Sequence, residues 1–273
     1  AELVAHAPQG VGPGQPLWLG LQITHQPDWH TYWKNPGDSG LPTELTWQLP
    51  AGLDAGDIAW PVPHKIAIGT LANYGYEGTV LLPVPVTVAQ TFAPGPLAKD
   101  VTVQLKASWL VCRKECIPEE GHFTLQLPIQ STTALSSAAF EAAAKAQPQP
   151  VLAGTNGIVP DSQAQVASDG NTLNVSVQGL PAALRGKTLD LFPEMPEVLH
   201  NAAEGTQRWE GDVWTARIPL AEQRSNSPST LPVVLAERVQ GSTLRPGYRA
   251  DLTVQGPWPA VAAKASVSPA LEA

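Results

Sequence analysis

Val101-Thr102-Val103-Gln104-Leu105-Lys106-Ala107-Ser108-Trp109-Leu110-Val111 reads as a β-strand, and it runs without a break into Cys112-Arg113-Lys114-Glu115-Cys116. These two cysteines are the only ones in the 273 residues. Thiols so close together cannot staple distant parts of a fold. In the chain-entropy account, closing a loop of about five residues contributes only about 2 kcal/mol, less than a long-range crosslink. A pair that opens and closes is the better reading. The plainer one is a permanent small-loop disulfide, which predicts a strongly reducing potential, below about −300 mV, and no exchange with other proteins.

Outward from this stretch the chain keeps the same character. Leu17 to Thr24 and Thr43 to Leu49 show partial period-two alternation, and Thr79 to Val88 and His122 to Ile129 are further strand candidates. Turn signals fall at Asn35-Pro36-Gly37-Asp38, Pro50-Ala51-Gly52 and Pro94-Gly95-Pro96. Ser131 to Ala146 is the one segment with clear helix propensity, and it ends at Gln147-Pro148-Gln149-Pro150. Strand signals resume at Gln163 to Ala167, Thr172 to Val177, Lys187 to Phe192, Gln207 to Trp209, Val213 to Ile218, Leu231 to Glu237 and Tyr248 to Val254. Short strands without alternating helices predict an all-β chain of two β-sandwiches. The expected division is a first sandwich over 1–132, a helix and linker over 133–150, a second sandwich over 151–257 and a flexible tail over 258–273.

Composition narrows the function. Twenty-eight prolines fit short strands with many corners. A net charge of −8 argues against a nucleic-acid partner, which needs a basic face. No apolar run is long enough for a membrane span. The chain opens at Ala1-Glu2-Leu3 without methionine, as a mature exported protein or a trimmed chain would.

Exchange requires one thiolate to attack and a second thiol to resolve the mixed disulfide. Arg113 and Lys114 favour thiolate, while Glu115, Glu119 and Glu120 oppose it. Thioredoxin-type sites place C-x-x-C at a helix start. Here C-x-x-x-C follows a strand, with Ile117-Pro118 expected to close the turn. The rival reading is a Cu(I)-binding module using Cys112, Cys116 and His122; the remaining histidines show no ligand spacing. The dense segment Trp29 to Gly40 suits a docking surface or a wall around the thiols, or ordinary core packing. Asn73-Tyr74-Gly75-Tyr76-Glu77-Gly78 suits a loop covering the cysteines, or a plain turn. No phosphate loop, nucleophile elbow or H-E-x-x-H occurs, and no cofactor is called for.

Residues 29–52 (WHTYWKNPGDSGLPTELTWQLPAG), 60–84 (WPVPHKIAIGTLANYGYEGTVLLPV) and 108–121 (SWLVCRKECIPEEG) together resemble the N-terminal periplasmic region of DsbD-type protein-disulfide reductases, in particular the ScsB-like branch associated with copper tolerance. The resemblance implies an immunoglobulin-like fold and a location in the periplasm as part of an inner-membrane protein. It implies that electrons arrive from the membrane and thioredoxin-like domains of the same full-length protein. They leave to thioredoxin-fold partners, ScsC-like or disulfide-isomerase-like, and the isolated fragment is expected to be a monomer. Cys116 matches the family's attacking thiol, leaving Cys112 to resolve. The family's cysteines are spaced more widely, and a cap loop bearing phenylalanine covers them. The corresponding segment here, Leu71 to Gly78, lacks phenylalanine, so Tyr74 or Tyr76 would serve, with Trp109 as a further docking residue.

Overall fold

The computed structural model describes residues 1–151 and 162–261. In chain order the first half holds β1 (Glu2–His6), β2 (Trp18–Thr24), β3 (Thr31–Gly37), β4 (Glu44–Gln48), β5 (Leu53–Ala55), β6 (His64–Ile68), β7 (Leu71–Tyr76), β8 (Thr79–Val88), β9 (Asp100–Cys112) and β10 (Cys116–Pro128). A helix, α1 (Ser137–Lys145), follows. The second half holds β11 (Gln149–Pro150), β12 (Gln163–Val166), β13 (Thr172–Val177), β14 (Leu189–Pro193), β15 (Thr206–Glu210), β16 (Val213–Pro219), β17 (Thr230–Glu237) and β18 (Gly247–Gln255). The class is all-β, as expected.

Three sheets make up the first half, ordered β1-β2-β8-β5, β10-β9-β4 and β3-β7-β6. Their inward residues, among them Leu19, Leu21, Leu82, Val103, Leu105 and Leu127, form one buried cluster. β9 shows how alternation builds it: Val101, Val103, Leu105 and Ala107 are buried, while the polar residues between them are exposed. The predicted helix is shorter than its alanine-rich window. Residues 131–136 are largely Ser and Thr, whose side chains compete for backbone hydrogen bonds, so α1 begins at Ser137. Its Phe140 and Ala143 share one face and pack on Val4 and Leu81.

In place of two separate facing sheets, the second half has one continuous sheet, ordered β14-β17-β18-β12-β13-β16-β15, with β11 beside β18. Its two end strands meet through a side chain. The Gln207 amide donates to Leu189 O at 2.8 Å and accepts from Leu189 N–H at 2.8 Å, as a neighbouring strand would. The sheet thereby curls over its own core, with Trp214 fully buried inside and donating to Gln207 Oε1. Most of the predicted tail (262–273) lies outside the described residues. Trp258, at its start, packs against this core and donates to Pro228 O at 3.0 Å.

The halves meet along β14 and β17, whose alternate residues serve different cores. Leu231, Val233 and Leu235 belong to the second core, whereas Val234 and Ala236 join the first. On β14, Leu189 faces the second core while Phe192 enters the first, edge-on to Trp33 and Tyr74. Polar links flank this seam: Asn35 Nδ2 donates to Pro193 O at 2.7 Å, and Lys34 pairs with Glu194 at 2.9 Å. Asp190 holds Arg238 at 2.7 Å and Arg245 at 3.6 Å, and Arg245 in turn contacts His64 at 2.9 Å.

Burial, aided by the Arg245 charge, lowers the His64 pKa from 6.5 to about 4. The folded state therefore binds a proton at His64 less readily than the unfolded chain does. Its contribution to stability is complete above pH 6.5 and is lost as pH falls toward 4. Urea midpoints should decline across that window, and the His64→Gln variant should lose that part of the slope.

Candidate redox site

Cys112 ends β9 and Cys116 opens β10, directly opposite each other in register. Cys112 also forms a bridge with His30: its N–H donates to His30 O at 3.0 Å, and His30 N–H donates to Cys112 O at 2.9 Å. Both backbone groups of Cys112 are thus spent on His30. Cys112 and Cys116 are then a non-hydrogen-bonded pair, the closer of the two antiparallel pair types. Their Cα atoms are 4.1 Å apart and the sulfurs are bonded. Arg113, Lys114 and Glu115 form the hairpin loop, closed by Arg113 N–H to Glu115 O at 3.0 Å.

Contrary to expectation, Ile117-Pro118 does not close the turn. Pro118 lies within β10, opposite Leu110. β10 is an edge strand, where the missing N–H of proline costs no ladder bond.

The two sulfurs have different surroundings. Cys112 is 2 % exposed, whereas Cys116 is an exposed residue at the hairpin end. The Tyr32 hydroxyl sits 3.9 Å from Cys116 Sγ. Burial raises the Tyr32 pKa, so the phenol keeps its proton and can donate to a thiolate. Gly40 makes room for it, since a β-carbon there would fall 2.2 Å from the Tyr32 ring. Gly40 also has φ +100°, a conformation L side chains rarely adopt. Arg113 lies over the Trp29 ring at 5.4 Å and pairs with Glu115 at 3.8 Å.

Alternation sorts the predicted site residues. Within the aromatic segment, Tyr32 faces the disulfide while its neighbour Trp33 is buried in the core, so the wall and the packing readings each hold for different residues. The cap expectation needs correction. Leu71–Tyr76 is a strand, not a loop, and Gly75 stands opposite Tyr32. Tyr74 and Tyr76, flanking Gly75, therefore point to the other face. Both are buried, with hydroxyls donating to Asn201 Oδ1 and Pro61 O. Trp109 lies on the core-facing side of β9, its Nε1 donating to Glu119 Oε2 at 2.9 Å. His122 stands opposite Lys106, six positions along β10 from Cys116. At the rise of a strand that is about 20 Å, too far to complete a copper site with the sulfurs.

Sequence reasoning treated His30 as one of the scattered histidines. It is 2 % exposed, with its ring edge-on to Tyr32 at 5.1 Å. Period two along His30-Thr31-Tyr32 is the signal that would have placed both rings on one face.

Residues 2–128 match the family described as "Thiol:disulfide interchange protein DsbD, N-terminal". This segment is a DsbD-type N-terminal domain. The match ends where β10 ends, so the DsbD-type domain contains all the strands of the first half. It is a thiol–disulfide exchange domain, and Cys112–Cys116 is the cysteine pair it holds. Beyond the DsbD-type segment the likeness is one of fold. The chain resembles the crystal structure of the N-terminal periplasmic domain of ScsB from Proteus mirabilis, with a TM-score of 0.61, 15 % identity and 92 % of both chains covered. A comparison with curated proteins gave no match. Among the described residues, no helix is long and apolar enough to cross a membrane.

Proposed function

We propose that this chain is a periplasmic electron-passing domain, reduced by a membrane-embedded partner domain of the same protein and reoxidised by thioredoxin-fold proteins. The observation that carries this reading is the unequal exposure of one bonded pair, with Cys116 at the surface beside a phenol and Cys112 buried behind it. In the reduced chain, Cys116 thiolate attacks a partner disulfide, and the first partner sulfur leaves with its electron pair. Cys112 thiolate then attacks Cys116 Sγ, releasing the second partner sulfur as thiolate. The chain ends as the Cys112–Cys116 disulfide and the partner as a dithiol, two electrons having passed.

Within this reading the units are 1–132 and 151–257, joined by 133–150, and the second unit steadies the first. The Asn35-to-Gly40 segment that carries the Tyr32 pocket is tied to it through Asn35 to Pro193 and through Asp38 to Asn201 Nδ2 at 2.8 Å.

Trapping tests the proposal. Reduced Cys112→Ser, mixed with an oxidised thioredoxin-fold protein, should accumulate a mixed disulfide through Cys116, while Cys116→Ser should capture nothing. Capture by neither variant would leave only the inert-disulfide reading.

A further inference from the structure

A buried thiol is a poor nucleophile because burial disfavours the thiolate. Cys112 is such a group at 2 % exposure, yet the exchange reading requires it to ionise and attack in the second step. Its nearest cross-strand neighbour away from Cys116 is His30. In a hydrogen-bonded antiparallel pair the two side chains emerge on the same face. His30, Cys112 and Cys116 therefore form a row across three strands, with Tyr32 beside it on His30's own face.

His30 is built as an unsatisfied base. Its residue is 2 % exposed, and its Nε2 is buried without a hydrogen-bond partner among the described residues. A buried polar atom left unpaired costs about 1–3 kcal/mol, so such an atom calls for an explanation. Core packing alone does not supply one, because an apolar ring would fill the same space without that cost. The imidazole is also held neutral: burial first, and the nearby His25 second, lower its pKa below 6.5. A neutral imidazole can accept a proton, whereas an imidazolium cannot. The titratable groups around it are His25 and Tyr32 on its own segment and Cys112 on β9.

We propose that His30 is the general base of the resolving step, taking the Cys112 thiol proton as Cys112 attacks the mixed disulfide. The inference rests on the exchange reading above and assigns a residue to its second half. The step balances. The Cys112 S–H bond breaks and the proton passes to the His30 imidazole, while the Cys112–Cys116 bond forms. The Cys116–partner bond breaks, and the departing thiolate carries off the electron pair. His30 then returns its proton to the leaving thiolate or to water.

The two half-reactions can be timed with dithiobis-nitrobenzoate, because reaction at Cys116 releases one thionitrobenzoate and resolution by Cys112 releases the second. His30→Gln should slow the second release about 100-fold, the low end of the range for a positioned acid or base. The first release, measured in Cys112→Ser with and without His30→Gln, should keep its rate. In the native chain the second release should level off above the imidazole pKa, below pH 6.5, and stay flat through neutrality. Should His30→Gln fail to fold, this pH profile decides alone. A second-release rate that keeps rising about tenfold per pH unit through neutrality, as direct thiol ionisation requires, would overturn the inference. So would equal slowing of both releases, or no slowing of either. If Cys112→Ser shows no first release at all, the exchange reading falls and takes this inference with it. A normal first release with an unaffected second one removes His30 alone.

Discussion

Replacing Phe192 with alanine is expected to lower stability by about 3–5 kcal/mol, the usual range for truncating a fully buried aromatic. Phe192 is 0 % exposed and stands where the two cores meet. It is the shared edge of an aromatic set, with Tyr74 at 5.2 Å and Trp33 at 6.2 Å, and the Arg245 guanidinium lies 5.8 Å from its ring. The void would open between two halves that sequence places far apart, so local collapse cannot easily fill it. Chemical denaturation followed by tryptophan fluorescence measures the loss, since Trp33 reports from the same contact. Phe192→Leu should recover part of it. A loss below about 1 kcal/mol for alanine, the size expected of a surface change, would show that the seam is not packed as described.

Replacing Asp190 with alanine is expected to cost a similar amount, about 3–5 kcal/mol, for an electrostatic reason. Asp190 is 9 % exposed and is the carboxylate facing both Arg238 and Arg245. Arg245 is itself 7 % exposed, and its Nε already lacks a partner among the described residues. Without Asp190 its remaining polar contact among the described residues is His64, which burial and Arg245 together keep neutral. An uncompensated guanidinium would then sit in a low-dielectric seam. Replacing Asp190, Arg238 and Arg245 together by apolar residues should be much less damaging than Asp190→Ala, which separates the cost of stranding a charge from the value of the cluster. Because Asp190 and Phe192 share a face of β14, their effects should not add.

Much of this was readable from the chain itself. Thr79–Val88 and Thr172–Val177 stood out because their apolar runs agree with the final contacts, whereas the hairpin between Cys112 and Cys116 did not, since Ile117-Pro118 reads as the turn and lies instead within β10. β3, β6 and β7 did not. Gly75 and Asn73 lower strand propensity, and Gly75 is there because a β-carbon would fall 2.0 Å from Thr31 O on the adjoining strand. That requirement belongs to tertiary structure, so the segment reads as a loop and its tyrosines as a cap over the cysteines. The thiols were legible because no other cysteines compete with them. Tyr32 and His30 were not, because their role depends on which strand lies beside Cys112, a fact no spacing within residues 29–40 encodes. The unbroken apolar run from Leu231 to Ala236 did hold a clue to the seam, since a strand apolar at every position has no solvent side.

That doubly covered strand bears on how the molecule can be divided. Cutting the chain near residue 132 would remove the surface against which Trp33 and Tyr74 rest, baring an oily wall on an otherwise acidic protein. Such a fragment would keep its sulfurs but seek company, clumping with its own kind or clinging to chaperones. The cysteine-bearing half and the distant β14–β17 ribbon are therefore packed as one body, and a chain cut between them is expected to be less soluble than the whole.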